Sequence, residues 1–365
     1  MFYKVLLVDD DHDVLKDVPE LLEGTNSELY QIKKVDTGDF QEGMILLKAN
    51  EYDLVILDLC KGDPSPESEK IGEEILAEIR SLAFIPVIFF TGLPAYVKDQ
   101  VSQIIRVASK GDGIDSLLEE MAVIAKSGIL PLKRQIFNIT QDTLRYFFWD
   151  FVHPQKEMID KIKDEVSLGY LLLRRLSHSL SKDRIRELLK DERINEGLAH
   201  PMEFYIYPIL SGEYEVGEIL EKDENIYAIL TPSCDFVQAN NRPRKAENVL
   251  LAMATPLAKT QEYKKYVGNP SKYKESISQL IQSRKSDRYF FLPGTPFIQD
   301  CVIDFQKKVM IEYNKLDVFN RVAKLDDPFA QSMISAFTRY YNRIGFPDID
   351  TDYVLSKFDS SHRGE

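Results

Sequence analysis

Leu54-Val55-Ile56-Leu57-Asp58-Leu59-Cys60 decides the fold. A run of four branched apolar residues is the pattern of a strand buried on both faces, as in a parallel sheet. Strands of that kind deliver their carboxyl ends to one crevice, where open α/β sheets bind ligands. Asp58 stands at that end. On its own it would read as a polar residue marking a turn.

Three more apolar runs end the same way. Lys4-Val5-Leu6-Leu7-Val8 runs into Asp9-Asp10-Asp11, Pro86-Val87-Ile88-Phe89-Phe90 into Thr91-Gly92, and Ile104-Ile105-Arg106-Val107-Ala108-Ser109 into Lys110. Between them lie helical stripes: Val14, Val18, Leu21 and Leu22, broken by Pro19; Phe40, Met44, Leu46 and Leu47; Ile75, Leu76 and Ile79; and Ile114, Leu117, Leu118, Met121 and Ile124. Five strands, four of them these runs, with about five helices make a doubly wound, flavodoxin-like α/β domain over residues 1–128, with Gly128 as a helix stop.

In order and type, the acid pair, central Asp, Thr with a small neighbour, and Lys resemble the receiver domain of two-component response regulators. The resemblance covers residues 1–128. It implies that Asp58 accepts a phosphoryl group from a sensor histidine kinase or phosphotransfer protein. Magnesium would be held by Asp10, Asp58 and the backbone carbonyl of Cys60, with Asp9 acting mainly from behind or through water. Thr91 and Lys110 would each take a phosphoryl oxygen. The chemistry suits these types, because phosphoryl transfer is catalysed by positioning and charge neutralisation and magnesium prefers oxygen ligands in an octahedron. The chain departs from the family pattern in four places. The loop from Asp58 to Gly72 is long and holds Pro64 and Pro66. Gly111 follows Lys110 where a proline is usual, so that bond should be trans. Val107 stands where a switching aromatic residue is common, and the segment from Thr91 to Lys110 leaves room for only an abbreviated fourth helix.

The chain has 365 residues, 44% of them hydrophobic, which suits two or three folded domains and excludes general disorder. No run reaches membrane-spanning length, and Asp9 to Asp13 interrupt any signal-peptide layout. Cys60, Cys234 and Cys301 are too scattered for a disulfide framework or a zinc site, which fits a cytoplasmic protein. The net charge of −13 lies in residues 1–128, with 25 acids against 12 bases, whereas the rest balances 34 against 34. No basic footprint for nucleic acid stands out.

Residues 129–198 read as a helical connector, aromatic-rich from Thr140 to Val152 and almost wholly helical from Gln155 to Leu189. Packing on its neighbours and dimerisation are both open, although no seven-residue repeat is sustained. Leu176-Ser177-His178-Ser179-Leu180 faintly matches the histidine box of sensor kinases, but no glycine-rich nucleotide region follows it.

Residues 199–350 read as an α+β output module with a small bent sheet or barrel. Strands are expected near 202–209, 212–219, 226–231, 249–254, 289–292, 302–305 and 309–313, with helices near 260–266, 271–283 and 329–341; a polar, flexible tail follows over 351–365. The module resembles an uncharacterised part of bacterial signalling and defence-type proteins through Thr231-Pro232-Ser233-Cys234-Asp235, Arg321-Val322-Ala323-Lys324-Leu325 and Arg343-Ile344-Gly345-Phe346-Pro347. That resemblance implies no activity. Three outputs compete: binding an unknown protein partner; a hydrolase or nuclease using Cys234, Asp235 or His200, with Cys234 as nucleophile and His200 as base; and nucleic-acid binding through Arg242-Arg244-Lys245 and Arg284-Lys285-Arg288. The bland reading of Cys234 is a small residue buried at a strand end, with Asp235 as a turn former or a partner for an arginine such as Arg343.

Overall fold

A computed structural model describes the chain except residues 1, 26, 50, 63–70, 83, 163, 191, 211, 239–242, 344–347 and 362–365. Pro64, Pro66 and Arg242, and all of the closing motif but Arg343, lie outside the described residues. The chain divides into two compact units, Met1–Arg184 and Ile185–Glu365.

The first unit is built on five parallel strands, β1 (Phe2–Val8), β2 (Gln31–Gly38), β3 (Leu54–Leu57), β4 (Val87–Thr91) and β5 (Ile105–Ser109), in the order β2-β1-β3-β4-β5. That is the doubly wound order 2-1-3-4-5, whose ligand crevice opens where β1 and β3 part in direction. The period of two sorts the side chains. Val5, Leu7, Leu54, Ile56 and Ile88 pack on one face under α1 (His12–Glu23) and the helix of residues 113–126. Leu6, Val8, Val55, Leu57 and Phe89 fill the other under α2 (Phe40–Ala49) and α3 (Ile71–Leu82). Both faces being covered is why β3 and β4 contain no exposed residue. Between β4 and β5 the expected fourth helix shrinks to two 3-10 turns, Pro94–Tyr96 and Lys98–Gln100. The helix after β5 is therefore α4 (Gly113–Lys126).

Gly128, with a left-handed φ of 75°, lets the chain leave α4 and start α5 (Ile129–Arg145) at once. Arg134 ties α5 to the start of β3 through Asp53 at 2.7 Å, and Lys133 donates to the Tyr52 carbonyl. A π-helical stretch, Tyr146–Val152, continues α5. The near-continuous helix expected from 155 to 189 is three pieces: α6 (Lys156–Ile159), α7 (Glu165–Ser179) and α8 (Lys182–Leu189). The Asp164 carboxylate accepts the Ser167 N–H and so starts α7 afresh.

The second unit holds an antiparallel sheet of β6 (Tyr205–Ile206), β7 (Glu218–Lys222), β8 (Asn225–Ile229), β9 (Asn248–Pro256), β10 (Tyr289–Leu292), β11 (Cys301–Glu312) and β12 (Asn320–Leu325), ordered β10-β11-β9-β8-β7-β12-β6. It is a curled half-barrel. Tyr205, on one edge strand, donates its hydroxyl to the carbonyl of Pro293, just past the opposite edge strand, at 2.8 Å. The two strands expected at 302–305 and 309–313 are one, β11, with a register shift between Ile303 and Lys308 as it crosses β9. Helices α9 (Gln261–Gly268) and α10 (Pro270–Ile281) lie between β9 and β10. Then α11 (Phe329–Tyr341) buries Ala330, Met333, Ala336 and Tyr340 against Phe305 and Ile303. The expected tail forms α12 (Thr351–Ser361), whose described side chains are all exposed.

Candidate functional site

Strand β1 ends at Val8 and β3 at Leu57, and these two residues are register partners. The next residue on each strand is an aspartate, and the Asp58 N–H donates to the Val8 carbonyl at 2.9 Å. Asp9 and Asp58 thus arrive side by side, both buried. One carboxylate oxygen from each of Asp9, Asp10 and Asp58 falls within 4.8 Å of the others.

Lys110, one residue past β5, closes the group. Its Nζ donates to Asp58 Oδ2 at 2.8 Å and stands 2.8 Å from Asp9 Oδ2. The ammonium thus bridges the two buried carboxylates. Asp9 Oδ1 accepts from the Asp11 N–H. Burial pushes the Asp9 carboxyl up to about 6, against the pull of Lys110 and the Asp11 N–H. Burial also works against the Lys110 ammonium, but Asp58 and Asp9 override it and hold its pKa above the usual value. Thr91, at the end of β4, is fully buried, and its Oγ1 accepts from the Leu93 N–H at 3.2 Å. Asp10 Oδ2 accepts the Gly62 N–H at 2.6 Å, and Asp58 Oδ1 that of Leu59 at the same distance.

The residues present suit a divalent cation. Three carboxylates whose oxygens lie within 4.8 Å of one another, two of them buried, offer the oxygen ligands that a hard cation prefers. Cys60, two residues beyond Asp58, is buried. Val107 is half-buried on β5, and the Lys110–Gly111 bond is trans. Sequence reasoning passed over Gly72. A Cβ there would meet the Asp58 carbonyl oxygen at 2.2 Å, so only glycine lets α3 begin against the backbone of the site.

The residues singled out in the second unit do not assemble into a site. Cys234 is exposed, not buried. The strand leading to it ends at Ile229, and Ser233–Asp235 forms a 3-10 turn outside the sheet. Its Sγ lies 3.7 Å from Asp235 Oδ1. The hydroxyls of this stretch hold backbone in place: Thr231 accepts the Leu250 N–H, and Ser233 that of Val216. His200, the expected base, uses Nδ1 to accept the Met202 N–H and cap the turn Pro201–Phe204. Arg343 donates to the Tyr340 hydroxyl. In the basic clusters, Lys285 pairs with Glu262, Arg288 with Asp304, and Arg244 stacks on Tyr313 at 3.3 Å.

No family model and no curated protein matches the sequence. Among solved structures, this chain is similar to the receiver domain of the Francisella response regulator 1452, at 20% identity and a TM-score of 0.26, over 34% of this chain and 98% of that one. It is also similar to the Legionella pneumophila response regulator LqsR, at 13% identity and a TM-score of 0.26, over 94% of each chain. No helix among the described residues is long and apolar enough to cross a membrane.

Proposed function

We propose that the chain is an atypical response regulator that accepts a phosphoryl group on Asp58. The observation that supports this best is Lys110, paired with Asp58 and Asp9 at the carboxyl ends of three parallel strands. A bound magnesium ion would draw charge from the transferred group. Asp10, Asp58 and the Cys60 carbonyl would hold it, and Asp9 would support it from behind or through water. Asp58 supplies the attacking oxygen, Lys110 offsets charge on the phosphoryl group, and Thr91 gives a hydroxyl to another of its oxygens. Modification of Asp58 replaces its carboxylate charge with the larger charge of a phosphoryl group, which draws Lys110 and Thr91 to new oxygens, so the receiver's conformational populations shift and bias the segments on its C-terminal side. On this reading the protein is cytoplasmic, takes its phosphoryl group from a sensor histidine kinase or phosphotransfer protein, and passes the signal to a protein partner of its second unit, alone or as a homodimer.

The test is the metal requirement. Labelling by a small acyl phosphate should need magnesium, stop on chelation and fall sharply in Asp10→Ala. Equal labelling with chelator present, or an Asp10→Ala protein that labels and titrates with magnesium like wild type, would refute the reading.

A further inference from the structure

At the amino ends of β3 and β4, the ends remote from Asp58, a cavity of about 460 Å3 opens between α2, α3 and α5. Leu47 of α2, Ile79 of α3 and Ile85, just before β4, line it and are buried. Leu82, Phe84 and Phe137 also line it, and each is close to half exposed. Two phenyl rings and a leucine left in water beside buried apolar walls are surface that a ligand would cover. One cation of these walls has no ion-pair partner among the described residues. Lys133, on α5, is half-buried, and its Nζ donates to the Tyr52 carbonyl at 2.9 Å. That bond uses one of three ammonium N–H donors. The two acids of the walls do not take the others. Asp53 is held by Arg134 at 2.7 Å and by the Lys4 N–H at 2.9 Å, and Glu51 is exposed and pairs with no described cation. Burial pulls the Lys133 pKa down, and the more distant charges of Asp53 and Glu51 do not make up the difference.

We infer that this cavity binds a small apolar molecule ending in one carboxylate, with the carboxylate on Lys133 and the apolar body against Leu82, Phe84 and Phe137. A carboxylate there accepts from the unused ammonium donors in a place partly shielded from water, where a charge-assisted hydrogen bond is strong. The walls' own charges, Lys133 and Arg134 against Glu51 and Asp53, balance. A doubly charged phosphate therefore meets no excess of cations, whereas a single carboxylate needs only the one ammonium. The volume lies within the range of about 300–1,000 Å3 of small-molecule pockets, and a mostly apolar lining with few convergent polar groups is their usual make-up. The site stands apart from the Asp58 chemistry and does not depend on it.

The experiment is calorimetric titration of the full chain with decanoate, with decan-1-ol as its uncharged match and acetate as a carboxylate without an apolar body. Decanoate should saturate one site and bind about tenfold or more tightly than the alcohol, as expected for a hydrogen bond to a charged group. Acetate should show no saturable binding. Lys133→Gln keeps a donor but not the charge, and should bring decanoate down to the level of the alcohol. Phe137→Ala, at an exposed position, should weaken decanoate and decan-1-ol alike, and serves alone if Lys133→Gln fails to fold. Decanoate should also slow acetylation of Lys133 in native protein, read by peptide mass, and leave that of exposed Lys98 unchanged. Asp58→Asn should bind decanoate like wild type. No saturable decanoate binding, equal affinity for acid and alcohol, or undiminished decanoate binding in folded Lys133→Gln or in Phe137→Ala overturns the inference. So does unchanged acetylation of Lys133 at saturating decanoate, or loss of binding in Asp58→Asn, either of which would place the acid elsewhere.

Discussion

Cys234 shows how far a residue can stray from its sequence context. The run Ile226-Tyr227-Ala228-Ile229-Leu230 leads straight to it, and a thiol carried on by that strand would be buried. The strand stops at Ile229, and the turn at Ser233–Asp235 puts Cys234 in water. Cys60 and Cys301 are buried, and burial pushes the Cys301 thiol up to about 11. Thiolate fraction and access together set alkylation rates. Iodoacetamide should therefore modify Cys234 first in native protein, with Cys60 and Cys301 reacting only on unfolding; early labelling of Cys301 would contradict this. Rapid labelling would reflect access and not activation, because His200 has its Nδ1 committed to a backbone N–H.

At the level of elements, the doubly wound sheet was legible where burial is complete on both faces. β3 and β4 are continuous apolar runs, and their shortness and branched or aromatic residues mark them as strands and not buried helix. β2 was not located, because Gln31–Gly38 is an edge strand with lysines and an aspartate, and only part of its length is buried. β12 was missed for a related reason: Arg321 and Lys324 look like loop residues, yet Arg321 forms a forked pair with buried Glu218. Asp58, Asp9, Asp10, Thr91 and Lys110 could be named as candidates because each follows an apolar run directly. Gly72 gave no such signal, since its constraint is the approach of α3 to β3, visible only in three dimensions. That approach makes Gly72→Ala costly. The added methyl must displace backbone, not a flexible side-chain tip, so a loss of about 1–3 kcal/mol in denaturant unfolding is expected. A variant as stable as wild type would show that α3 starts further from Asp58 than this structure places it.

Across the whole molecule, charge is divided by role. The acidic excess sits in residues 1–128, whereas in the second unit Arg288 and Arg321 are held by buried carboxylates. Arg288 binds Asp304 through two hydrogen bonds of 2.7 Å. Burial alone would raise the Asp304 pKa, but the Arg288 fork outweighs it and holds the carboxyl below its usual value. A depressed carboxylate contributes stability above its unfolded pKa, and that contribution fades as pH falls through the folded value. Asp304→Asn should thus unfold at lower urea than wild type near neutrality. The gap should close as pH falls through and below about 3.9, the ordinary aspartate value. A gap that stays constant across that range would mean that the pair does not titrate as a unit with folding.

The central claim is that the carboxylate at the end of β3 receives the phosphoryl group, and one measurement addresses it directly. Native protein is incubated with magnesium and a small acyl phosphate, and the modified residue is located by peptide mass after trapping the acyl phosphate by reduction. The account predicts modification at Asp58 alone, absent in Asp58→Asn and reduced in Lys110→Ala. Equal modification of wild type and Asp58→Asn, or a wild-type protein that takes up none, would contradict it.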